Sequence, residues 1–170
     1  MMIRLAKQGD LPAIVHIYNQ AIQTRQSTGD LQLFRVEDRL DWFREHHPEQ
    51  HPIFVAEDDK SVVGWCSLSP YRPGRAALRF TAEISYYVDF ASHRRGIGTV
   101  LVEHALGTCP ALQIRHVFAI VLESNQASIR LLEKLGFEKW GYLPRVADFD
   151  GKEVGHLYYG RHVGATRGQG

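Results

Sequence analysis

The stretch SHRRGIGTVLVEHAL, Ser92 to Leu106, decides how this chain is read. It carries Arg94 and Arg95, sets Gly96 and Gly98 two apart, then continues as an apolar stripe of Ile97, Val100, Leu101 and Ala105. The stripe predicts a helix anchored in a core. Glycines at a helix start remove Cβ atoms, so backbone amides can close around an anion, and the helix N-terminus and the arginines add positive charge. A phosphate or pyrophosphate suits such a turn. Two familiar phosphate loops do not fit. Gly98 is followed by Thr99 and Val100, not by Lys-Ser/Thr, and Leu101 stands where a dinucleotide fingerprint needs a third small residue. Taken by itself, the turn also fits a strand-to-helix junction softened by glycine.

The flanks extend the pattern. Upstream, RFTAEISYYVD (79–89) alternates as a long strand; downstream, HVFAIVLE (116–123) is β-rich and NQASIRLLEKLGF (125–137) reads as a helix closed by Gly136. Nearer the N-terminus, MIRLA predicts a strand. A helix follows behind Asp10, with Pro12 in its first turn and Ile14, Ile17, Tyr18 and Ala21 inward. After the polar loop TRQSTGDLQ, a second helix is expected from about residue 36 to 46, with Leu40 and Phe43 inward. IFVAED and SVVGWCSLS form a hairpin around Asp58–Lys60, YRPGRAAL is a loop, and EKWGYLP and EVGHLYYGRHV flank a turn at Asp150–Gly151. The order β-α-α-β-β-β-α-β-α-β-β predicts a mixed α/β (α+β) fold with a largely antiparallel sheet. Without a repeat or a low-complexity linker, residues 1–163 are expected to form one domain and 164–170 a mobile tail.

Composition narrows the partners. With a net charge of +1 and no basic block, nucleic acid is not an expected ligand. No apolar run nears the roughly 20 residues that span a bilayer, and the opening residues lack a secretory apolar core. Cys66 and Cys109, the two cysteines, are not in a CxxC spacing and read as small buried apolar groups, so a cytoplasmic location is expected. His46, His47 and His51 lie in a proline-interrupted segment and read as exposed loop residues, with no metal site expected. Trp42, Trp65 and Trp140 read as core residues.

VDFASHRRGIGTVLVEHAL resembles the acyl-CoA pyrophosphate motif of the GNAT N-acetyltransferase superfamily, with Gly96 and Gly98 at its two small positions and His93 where Gln or Arg is usual. LESNQASIRLLEKLGF resembles the later motif of that superfamily, and TAEISYYVD its central strand. The likeness runs from about Ile3 to Val163. IYNQAI, SPYRP and RFTAEISYYV resemble the subgroup of phosphinothricin and methionine sulfoximine acetyltransferases. It implies the GNAT fold: a twisted, mostly antiparallel mixed sheet splayed into a V and flanked by helices, with acetyl-CoA in the cleft and no metal.

The resemblance also implies roles. Arg94, Arg95, Gly96, Ile97, Gly98 and Thr99 would present amides to the pyrophosphate, while the main chain of Tyr86, Tyr87 and Val88 would run beside the pantetheine. A β-bulge commonly opens this strand. Asn125 would bond the pantetheine arm and Lys134 the polar end of the cofactor. Glu83 matches the carboxylate base of the phosphinothricin-like group, taking a proton from the attacking amine directly or through water. The substrate loop reads Thr28-Gly29-Asp30 instead of a Thr-Phe-Glu-like element, and Val154-Gly155-His156 replaces a closing His-Asp-Val. Thr28, Asp30, Arg75 and Arg79 are the substrate-binding candidates, the arginines for a substrate carboxylate.

Leu132 stands where the family often has Tyr or His and can do neither job as an acid; water, the product ammonium or another residue, Tyr142 and Tyr158 among the candidates, would then protonate the thiolate. Neutralising a lysine of pKa about 10.4 at pH 7 costs about 4.6 kcal/mol, against about 1.1 for a peptide α-amine near 7.8. A site with one carboxylate and no acid therefore leans towards α-amines. The expected activity is direct acetylation of a primary amine on a small, amino-acid-like substrate by a homodimeric enzyme. A protein N-terminus or lysine as acceptor, and a non-catalytic acyl-CoA sensor, are the alternatives.

Overall fold

A computed structural model describes residues 1–164; the expected tail lies, from residue 165 onward, outside them. The elements follow the predicted order: β1 (Met2–Leu5), α1 (Leu11–Gln23), α2 (Leu40–Glu45), β2 (Ile53–Asp58), β3 (Ser61–Pro70), β4 (Thr81–Val88), α3 (Ile97–Thr108), β5 (His116–Leu122), α4 (Gln126–Lys134), β6 (Glu138–Phe149) and β7 (Lys152–His162). The strands form one sheet in the order β1-β2-β3-β4-β5-β7-β6. Only the β4–β5 pair is parallel, as a strand–helix–strand connection through α3 requires.

Each face of the sheet has its own core. Ala82 and Ile84 of β4 join Ile97, Leu101, Val102 and Ala105 of α3 and Ile129 and Leu132 of α4 on one side. On the other, Ile14, Ile17, Tyr18 and Ile22 of α1 pack on Ile53, Val55 and Trp65. Residues of β4 therefore alternate between two environments. Cys66 and Cys109 are free thiols buried in the first core, and burial pushes Cys109 up to about 11 and Cys66 higher still.

Local chemistry explains most element boundaries. Asp150 and Gly151, at φ +54° and +94°, make the expected turn between β6 and β7. Gly136, at φ +79°, ends α4, with the Phe137 amide returning to the Leu132 carbonyl at 3.0 Å. Three expectations change. Asp10 precedes α1, yet its carboxylate accepts from the Lys7 amide at 2.7 Å and from Arg4 at 2.7 and 3.0 Å, pinning the preceding turn rather than capping the helix. The second helix begins as a 3-10 turn over Val36–Arg39, and only Leu40–Glu45 is α-helical. Trp140 is 44% exposed, because Gly160 lets its ring lie across the β7 backbone instead of entering the core.

Candidate active site

Strand β4 keeps an unbroken register with β3, from Gly64↔Val88 to Pro70↔Ala82. Its pairing with β5 covers only Thr81–Glu83 against His116–Phe118. Beyond that point the strands separate. The β-bulge expected in β4 is therefore absent, and the V is opened by lost pairing to β5. A cavity of about 700 Å³ fills the gap, lined by Tyr86, Tyr87 and Val88 of β4, Ala119–Val121 of β5, and the N-terminal ends of α3 and α4.

The glycine turn forms one wall of this cavity. Arg94 and Gly96 are both left-handed, at φ +63° and +74°, which curls successive amides into an anion-binding concavity. Gly96 is the N-cap of α3 and offers no capping side chain, so first-turn amides remain available to a ligand. Gly96, Ile97, Gly98 and Thr99 all line the cavity, as does Arg94. Arg95 does not; its guanidinium pairs with Asp58 at 2.6 Å. His93 turns back to donate from Nε2 to the Val88 carbonyl at 2.9 Å.

The start of α4 forms the opposite wall. Asn125 caps the helix, its Oδ1 accepting from the Ser128 amide at 3.2 Å, and this leaves its amide NH2 for a ligand. Ser128 also accepts from the Tyr86 hydroxyl at 3.0 Å, and burial pushes Tyr86 up to about 12. Lys134 is exposed at the far end of α4, outside the cavity lining.

Glu83, Ser85 and Tyr87 project from the other face of β4. Tyr87 packs edge-on to Tyr18, ring centroids 5.0 Å apart, and 5.0 Å from Trp65. The Tyr18 hydroxyl donates to the Asp30 carboxylate and so accepts from Thr28 Oγ1 at 2.8 Å. Thr28 and Asp30 thus brace this aromatic layer. Glu83 is half-buried between its register partners Ser69 of β3 and Phe118 of β5, and burial alone raises its carboxyl above the usual range. Arg75 and Arg79 are exposed, and Arg79 stacks 4.1 Å over Phe80 and bonds the Ala76 carbonyl.

Two side chains to which the sequence reading gave no role join this face. His46 is half-buried, contrary to its reading as an exposed loop residue, with Nδ1 2.7 Å from the Trp42 carbonyl and Nε2 3.0 Å from Ser69 Oγ. Its position just past α2 is legible only once α2 is known to end at Glu45. Arg39 lies 4.2 Å over the Trp42 ring and 5.2 Å from both Tyr18 and Phe34. Among the described residues no carboxylate forms an ion pair with it. Of the alternative acids, Tyr142 is exposed and donates to Glu123 at 2.8 Å, whereas Tyr158 stacks on Phe118, 5.8 Å between centroids, on the face that carries Glu83. Leu132 is wholly in the core.

Comparison with known proteins agrees with this geometry. The model of the Acetyltransferase (GNAT) family matches residues 12–137. YwnH of Bacillus subtilis, named as a candidate phosphinothricin acetyltransferase, is 40% identical over 164 residues, covering 96% of this chain and 99% of YwnH. An L-methionine sulfoximine/L-methionine sulfone acetyltransferase of Salmonella typhimurium is 31% identical, over 86% of this chain and 85% of its own. A phosphinothricin acetyltransferase from Sinorhizobium meliloti, solved in complex with AcCoA, superimposes with a TM-score of 0.90 at 27% identity, over 96% of this chain and 88% of that one.

Proposed function

The chain belongs to the GNAT acetyltransferase family, and from that premise we propose that it transfers the acetyl group of acetyl-CoA directly to the primary amine of a small, amino-acid-like substrate. One observation carries this reading. A cavity walled by two helix N-termini lies against β4 and passes through the β4–β5 opening to Ser85 and Tyr87, on the face of that strand from which the half-buried Glu83 projects. A strand shared in this way can hold the acyl donor and the acceptor amine on either side of one backbone.

The residues present fit acetyl-CoA. The amides from Arg94 to Thr99 would hold its pyrophosphate, with Arg94 as mobile charge and Arg95 held back by Asp58. The backbone of Ile84–Val88, unpaired on its β5 side, would run beside the pantetheine, Asn125 would donate to it, and Lys134 would serve only a part of the cofactor extending past the cavity. When bound, acetyl-CoA supplies the reactive thioester. The chain does the rest. Glu83 accepts the proton of the substrate ammonium, and its raised pKa brings it closer to the range in which a carboxylate is an effective base near neutrality. Thr28 and Asp30 shape the acceptor pocket through Tyr18. Arg39, caged by aromatic rings and without a carboxylate partner, joins Arg75 and Arg79 as a candidate for a substrate carboxylate.

The homodimer and the single domain over residues 1–163 belong to the same reading. Trp140, Tyr142, Leu143 and Val146 of β6 are 40 to 53% exposed, which supports pairing of chains through that edge. None of the helices described is long and apolar enough to cross a membrane. Thiol release from acetyl-CoA against α-amino acids, their amides, polyamines and peptides tests the activity. Turnover confined to α-amino acids is expected, and turnover confined to peptides would move the acceptor to a protein N-terminus or lysine. CoA binding with no thiol release on any amine would favour the sensor instead.

A further inference from the structure

The carbonyl oxygen of Trp42 can only accept a hydrogen bond, so His46 Nδ1, 2.7 Å away, carries the proton of the neutral ring. His46 Nε2 is then a bare acceptor, and Ser69 Oγ, 3.0 Å from it, must donate its single proton there. A hydroxyl committed in this way can only accept from a second partner. Ser69 stands directly across the β3–β4 ladder from Glu83, on the same face of the sheet.

We propose that Ser69 and His46 form a proton relay that clears Glu83 after each turnover, an inference that rests on Glu83 being the base. Protons balance at every step. The ammonium N–H breaks as the Glu83 O–H forms. Glu83 then passes that proton to Ser69 Oγ, directly or through one water, while Ser69 passes its own to His46 Nε2. Glu83 is left anionic, Ser69 neutral and His46 an imidazolium; water reaching the half-buried ring then takes the Nε2 proton, which restores the Nδ1–H tautomer that the Trp42 carbonyl requires.

The surroundings bring the proton affinities of the two groups closer together than those of a free carboxylate and imidazole. Burial raises Glu83, so the carboxyl takes the proton of the amine more readily than an exposed carboxylate would. Burial lowers His46, reinforced by Arg39 and His47 and opposed by the Trp42 carbonyl and Glu45. His51, on the loop beyond, is lowered by burial and by His46 and His47. An imidazolium formed here gives up its proton readily near neutral pH.

The test compares E83Q, H46Q, S69A and S69T by pH profiles of kcat/KM with one amine, alongside acetyl-CoA affinity and thermal melting of each. H46Q is expected to melt and bind acetyl-CoA as the parent does and to lose about ten- to hundred-fold in kcat, below the full range for a general base. Its acid limb should require one proton fewer, and S69A should behave alike while S69T recovers activity. H46Q in an E83Q background should cost nothing further, because the relay serves only Glu83. An acid limb in H46Q that superimposes on the parent, with E83Q inactive, overturns the relay and leaves Glu83 as base. Parental activity in E83Q overturns the base assignment and the relay with it.

Discussion

A Cβ built on Gly98 would lie 3.2 Å from Leu131 Cδ1, tighter than most packing contacts, so a side chain at 98 would press the first turn of α3 against α4 and make Leu131 shift. Both residues line the cavity. Gly98→Ala should gain helix propensity of about 1 kcal/mol and spend it displacing Leu131. We expect little change in melting temperature but a several-fold rise in the KM for acetyl-CoA, with the amine KM unaffected. Gly98→Val should abolish cofactor binding, as calorimetry would show; unchanged affinity would place the pyrophosphate elsewhere.

Glu83→Gln removes the proton acceptor while keeping the size and burial of the side chain. Turnover should fall by about 10²- to 10⁴-fold, with CoA affinity intact, because Glu83 does not line the cofactor cavity. Burial raises the pKa of Glu83, so the acid limb of the parent should lie above the ordinary carboxylate range. Rate against pH, with the ionisation of the amine subtracted, reads this directly.

Arg39→Met keeps an apolar side chain against Trp42, Tyr18 and Phe34 and removes the charge. If Arg39 pairs with an acceptor carboxylate, the KM for a free α-amino acid should rise about ten- to hundred-fold, matching a lost charge-assisted bond of about 1.5–3 kcal/mol. The corresponding α-amide should be acetylated as before. Equal losses for both would make Arg39 a packing residue only.

Arg4 ties β1 to Asp10 at 2.7 Å and to Glu57 of β2 at 2.6 Å. The Arg4 guanidinium holds the Asp10 carboxyl below the usual carboxylate range. A depressed folded-state pKa gives stability that is complete above the unfolded value, about 3.9, and is lost as pH falls through the folded one. Asp10→Asn should therefore cost about 1.5–3 kcal/mol at pH 7, and the deficit should shrink below about pH 4. Urea unfolding at pH 7 and pH 3 measures both.

The cavity side of β4 was largely legible in the sequence because its geometry is local. Gly96 and Gly98 lie within a few residues of the helix they open, and Asn125 caps the helix that follows it. Alternation in β4, the hairpin pattern of β2 and β3, the β-rich run of β5 and the turn at Asp150–Gly151 set element order in the same short-range way. Arg95 shows the limit: next to the turn in sequence, it is drawn off by Asp58, 37 residues away.

The opposite face of β4 was hardly legible. His46, Ser69 and Glu83 belong to a helix end and two strands, and only the β3–β4 register brings the last two face to face. Arg39 acquires its cage from Tyr18, Phe34 and Trp42, which come together only when α1 and α2 pack on the same side of the sheet. By itself, the sequence determined the elements, their order and the anion-binding turn, because backbone preference and side-chain periodicity act over a few residues. Tertiary structure alone decided where β4 and β5 part and which distant groups face Glu83, because strand register and helix packing are set by long-range burial.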